Sequence, residues 1–85
     1  MNQQESLTNF ILDELLMGQL DELAPDENLL MTGLVDSLGV MRLMMFIEEE
    51  FGVEVAPADV TIDNFESVAT MVSYVEQQKA EKVPA

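Results

Sequence analysis

Between Leu34 and Phe51 the apolar residues recur at helical spacing. Val40, Leu43, Met44, Ile47 and Phe51 fall at i, i+3, i+4, i+7 and i+11, one face of a helix with about 3.6 residues per turn. That face must be buried. Leu38, Met41 and Met45 form a second apolar line about a third of a turn away, which predicts partial exposure. Phe46 fills more of the circumference, Glu48, Glu49 and Glu50 solvate the end, and Gly52 is the natural stop. Asp36 is the N-cap expected to accept a hydrogen bond from the free first-turn N–H groups, so that Ser37 becomes the first helical residue. In that register Val35 precedes the cap and Val40 takes the fourth helical position, the arrangement of a hydrophobic staple.

The same reading runs outward from this helix. Residues 3 to 17 are predicted as a first helix, with Leu7, Phe10, Ile11 and Leu15 on one face, Leu12 and Leu16 widening it, and Gly18 ending it. From Gln19 to Val35 the periodicity is lost and Ala24-Pro25-Asp26 and Thr32-Gly33 mark a loop. A connection of that length is unusual in a small domain and is expected to pack over the core with Leu29, Leu30 and Leu34 beneath it. Val53-Glu54-Val55 is short and β-like, and Pro57 can open a helical turn at Ala58 to Val60. In the last helix Val68, Met71, Val72 and Val75 repeat the stripe, with Phe65 and Tyr74 at its edges. Its start is either Asp63 with Glu66 as a capping box or Ser67. The expectation is an all-α fold, a small four-helix bundle of three main helices and one short one with a long first loop. Residues 1–78 form one domain, and 79–85 are a polar, flexible tail.

Composition narrows the chemistry. The 85 residues contain neither cysteine nor histidine, which removes disulfides, thiolate metal sites and thiol catalysis together with the commonest general base. Three basic residues against seventeen acidic ones give a net charge of −14. Nucleic acid and anionic membranes are therefore poor partners; the charge either steers the chain toward basic protein surfaces or only keeps an acidic domain in solution and selects nothing. Asp21, Glu22, Asp26 and Glu27 lack the ligand alternation and central glycine of a calcium loop, so no metal site is expected. The seven methionines are read as core filler, except that Met41 and Met45 could serve as adaptable contact residues. No N-terminal signal segment or membrane span is read, which makes a cytoplasmic protein the expectation.

One hydroxyl remains of interest. Ser37 would sit exposed at a helix mouth, where N–H groups and the helix dipole favour a phosphate ester. From Asp-Ser-Leu alone, a motif too short to be specific, a plain polar first-turn residue is the favoured reading.

The order of helix, long loop ending in Gly33-Leu34-Val35-Asp36-Ser37-Leu38, helix ending in Glu48-Glu49-Glu50-Phe51-Gly52, short helix and last helix resembles the acyl carrier proteins and the related peptidyl and aminoacyl carriers. The likeness covers roughly residues 5 to 78. It implies that Ser37 bears a 4′-phosphopantetheine arm placed there by a phosphopantetheinyl transferase, with Asp36 and Leu38 flanking the attachment. The arm would hold an acyl or aminoacyl group as a thioester. Leu38, Met41 and Met45 would then be apolar contacts, and Glu48 and Glu49 charged ones, for an adenylating ligase, a synthase or an acyltransferase. The chain would be a monomeric carrier and not itself an enzyme. Gly39, Arg42 and Val35 depart from carriers of primary fatty-acid synthesis, and the Gly-Leu-Val-Asp-Ser-Leu-Gly run looks more like free-standing carriers of specialised pathways. The competing reading is an acidic protein-interaction module without a prosthetic group.

Overall fold

The computed structural model describes residues 2–82, and among these the regular elements are all helical. Helix α1 spans Gln3–Phe10 and is prolonged by a π-helical turn, Ile11–Leu15. Helix α2 spans Ser37–Phe51, a 3-10 turn covers Pro57–Asp59, α3 is the short Ile62–Phe65, and α4 runs Val68–Lys82. This is the expected bundle of three long helices and one short one.

Helix starts follow local capping chemistry. Asn2 Oδ1 accepts the Glu5 N–H at 2.8 Å, and Asp36 Oδ1 accepts the Gly39 N–H at 2.9 Å. The start of α4 resolves in favour of Ser67, whose Oγ accepts the Thr70 N–H while Thr70 Oγ1 accepts the Ser67 N–H, both at 3.2 Å. Asp63 and Glu66 form no such box. Thr61 instead caps α3 through the Asn64 N–H at 3.3 Å, so the short helix lies just beyond the Ala58 to Val60 turn read from sequence. Gly52 ends α2 at φ 69°, in the left-handed region glycine enters without strain.

The end of α1 departs from its predicted winding. The Leu16 N–H donates to the Ile11 carbonyl at 2.8 Å, a five-residue step, which places Leu16 above Ile11 on the inward face. Ile11 and Leu16 are buried and Leu15 only half-buried, the reverse of the order expected for the two leucines.

Leu7 and Ile11 of α1, Leu43 and Ile47 of α2, Phe65 of α3, and Val68, Met71 and Val75 of α4 meet in one core with Leu29 from the long loop. Phe65 and Tyr74 are buried parts of that core, not its edges, and Val53 and Val55 dip into it without forming a strand. The loop is strapped down by backbone bonds: Leu29 N–H to the Glu66 carbonyl at 2.7 Å and Ala69 N–H to the Pro25 carbonyl at 2.9 Å. Leu29 is fully buried beneath it, Leu30 and Leu34 partly. The core-filler reading of the methionines holds for Met71 and partly for Met44. Met17, Met31, Met41 and Met45 are exposed, because two lie in the connection after α1 and two lie off the inward stripe of α2. Helix α4 continues through Lys82, so the tail read from position 79 is helical to that point, and 83–85 fall outside the described residues.

Candidate functional site

The segment before α2 is fixed from behind. Val35, buried, donates its N–H to the Leu29 carbonyl at 3.1 Å, and Leu29 is itself tied to Glu66. Asp36 follows in extended conformation, φ −101° and ψ −172°. Its carboxylate turns back onto the Gly39 N–H, and its carbonyl accepts the Val40 N–H at 2.9 Å. Ser37 is then the first helical residue and is exposed, as the capping pattern predicts. The N–H groups of Ser37 and Leu38 precede the helix's own hydrogen-bond ladder and face the same mouth, where the helix dipole favours an anion.

Two grooves flank this mouth. One, open and mostly apolar, has a volume of about 590 Å³ and lies between α2 and α3, with Leu30, Val40, Met41, Val60, Ile62 and Phe65 among its walls beside Ser37. The other, about 270 Å³, runs between the end of α1 and the start of α2 past Leu15, Leu34, Leu38 and Arg42. A larger depression of about 740 Å³ lies at the opposite end of α2, between Glu48 and Pro57, and has no serine or other hydroxyl side chain in its walls. Ile62, 65% exposed, lines the rim of the groove beside Ser37 and is absent from the residues singled out by the sequence; the Thr61 cap one position earlier is the signal that locates it.

The outer line of α2 behaves as its spacing predicts. Leu38 is 72% exposed and Met41 and Met45 are 56% exposed, and none is needed for the core. The two glutamates assigned to partner contact differ from each other. Glu49 is exposed, whereas Glu48 is half-buried and its Oε2 accepts the Val55 N–H at 2.9 Å. The chain reversal at Gly52 brings Val55 back over α2, so Glu48 closes a loop. Arg42 is exposed and lies across the first helix: its guanidinium is 5.9 Å from the Phe10 ring centre and Nη1 donates to the Glu14 carbonyl at 3.4 Å. Among the described residues no three carboxylates converge on a point able to hold a metal ion, and no helix is long and apolar enough to cross a membrane.

Residues 6–75 match the family model for the phosphopantetheine attachment site. The chain belongs to this family of carrier proteins. The D-alanyl carrier protein of Abiotrophia defectiva is 32% identical over 77 residues, covering 81% of this chain and 98% of that one. The acyl carrier protein of Solidesulfovibrio magneticus is 32% identical over 81 residues, covering 95% and 100%. Among solved structures, a chain from a crystal structure described as that of an FAD-dependent dehydrogenase superposes with a TM-score of 0.75 at 33% identity, over 81% of this carrier and 97% of its own length.

The cofactor of this carrier is therefore 4′-phosphopantetheine, borne on a serine. The chain has four serines. Ser6 and Ser67 are buried, Ser73 lies exposed within α4, and Ser37 stands at the mouth of a fifteen-residue helix. Only the last combines an accessible hydroxyl with backbone N–H groups free to face a phosphate, so the residues present fit the group.

Proposed function

We propose that Ser37 is the attachment residue and that the protein is a non-enzymatic carrier. It would bear an acyl or aminoacyl group as a thioester and hand it between partner enzymes in the cytoplasm. The single observation that carries this reading is the exposed Ser37 hydroxyl at the N-terminus of α2, in a chain whose cofactor requires a serine. When attached, the arm supplies the thiol that the chain itself lacks. The protein's part is placement. Asp36 spends its carboxylate on the Gly39 N–H and so fixes the helix start, while the N-terminal dipole lowers the cost of a phosphate diester beside it.

Leu38, Met41 and Met45 serve in this reading as the apolar contacts of a phosphopantetheinyl transferase and of the loading ligase, synthase or acyltransferase, with Glu49 as a charged contact. Relatives named as D-alanyl and as acyl carriers support both classes of cargo. The carrier-sized structural relative supports a second reading of the consuming partner, a flavin-dependent dehydrogenase acting on the carried group.

Incubation with coenzyme A, magnesium and a broad-specificity transferase tests the assignment. The intact mass should rise by one phosphopantetheine and Ser37→Ala should remain unmodified. Modification of Ser37→Ala, or none of the wild type with several transferases, would refute it.

A further inference from the structure

The geometry points to Gly39 as a positioning residue for modification at Ser37, acting through the side chain of Val35. Gly39 lies in the first turn of α2 and is buried. A Cβ built there would stand 2.8 Å from Val35 Cγ1 and 3.5 Å from Asp36 Oδ1. The first distance is well inside van der Waals contact, so the valine methyl sits in the place a side chain at position 39 would occupy.

Val35 has little room to retreat. It is β-branched and stiff about χ1, it is buried, and its N–H is bonded to Leu29, which is bonded in turn to Glu66 at the α3–α4 junction. A side chain at 39 would therefore displace the Val35–Asp36 backbone from α2 and loosen the Asp36–Gly39 hydrogen bond, moving the residue next in line, Ser37. Helix propensity argues the other way, since alanine is the better helix former. A glycine at this position is explained by the close approach of Val35 and not by helix formation.

This inference rests on Ser37 being the attachment residue, and the experiment separates the two. Gly39→Ala should reduce kcat/KM for phosphopantetheine transfer about ten-fold, mainly in kcat, within the hundred-fold that a misplacement of about 1 Å can cause. Backbone amide exchange at residue 39 should quicken as the Asp36 cap loosens. Val35→Ala in the same chain should restore both, because Val35 Cβ lies 3.8 Å from the new Cβ, an ordinary contact. Wild-type transfer by Gly39→Ala, or a double variant as slow as the single one, would overturn the proposal. Should Gly39→Ala not fold, recovery of folding and transfer in the double variant supports it, and failure of the double variant overturns it. A wild type that accepts no phosphopantetheine would sink the Ser37 assignment and the positioning role with it, an outcome distinct from wild-type transfer by Gly39→Ala, which sinks the positioning role alone.

Discussion

The Tyr74 hydroxyl donates to Asp59 Oδ2 at 2.8 Å, joining α4 to the 3-10 turn that leads into α3. The carbonyl of Asp59 accepts the Asn64 side-chain N–H at 2.9 Å. Asp59 thus links α3, through Asn64, to α4, through Tyr74, and α3 supplies Ile62 and Phe65 to the groove beside Ser37.

Tyr74→Phe keeps the buried ring and removes only the donor. The half-buried Asp59 carboxylate then loses its tyrosine partner, so a loss of about 1 to 1.5 kcal/mol is expected. In a domain of this size that lowers Tm by about 4 to 8 °C per kcal/mol. A double-mutant cycle with Asp59→Ala measures the coupling, and a coupling near zero would show that the bond contributes nothing.

Leu38, Met41 and Met45 should separate from Glu48 when stability and partner binding are measured on the same variants. Alanine at any of the three exposed positions is expected to change stability by less than about 0.5 kcal/mol while raising KM for the modifying transferase. Glu48→Ala strands the Val55 N–H in a part-buried setting and is expected to cost about 1 kcal/mol or more, with KM nearly unchanged. Chemical denaturation and transferase kinetics check both halves. A Glu48 variant of native stability with a raised KM would return that residue to the contact surface.

What was legible in the sequence is what short-range chemistry determines. Asp36, Ser37 and Gly39 form a capping unit within four positions, and the stripe from Val40 to Phe51 needs only helical periodicity. The exposure of Leu38, Met41 and Met45 follows from the same geometry. The missing parts depend on partners distant in sequence. Glu48 is a loop tether because Val55 returns to it, and Arg42 lies over Phe10 because α1 is alongside. The five-residue step from Ile11 to Leu16 has no signature in the pattern of leucines, which fits an ordinary helix equally well. Thr61 is a legitimate cap by residue type, but Asp63 and Ser67 offer competing helix starts within six positions, and the sequence alone does not choose among them.

Phe10 is held between two groups of α2. Its ring stacks on Phe46 with centroids 4.3 Å apart and planes 18° from parallel, and Arg42 lies 5.9 Å from its centre. Phe10→Leu preserves most of the apolar bulk and removes the stack and the cation contact together, an expected loss of about 1 to 2 kcal/mol. Arg42→Met should account for less than half of that loss, because the stack remains. Equal losses in the two variants by urea denaturation would mean that the guanidinium and not the stack carries the contact.

Met17 follows the π-helical turn at φ 53°, with Gly18 after it at φ 79°. The glycine enters this region freely, but the methionine does so at a steric cost of about 1 to 2 kcal/mol. Its side chain, 79% exposed, recovers little of that by burial. Met17→Gly relieves the strain while adding freedom to the unfolded chain, so the net gain should be about 0.5 to 1 kcal/mol. A β-branched residue tolerates left-handed backbone least, and Met17→Val should destabilise by about 1 kcal/mol or more. The order Gly above Met above Val in thermal midpoint is the measurement that matters, because propensity for the preceding helix would favour Met over Gly. A Met17→Gly variant that melts below the wild type would show that the left-handed turn is not where the strain resides.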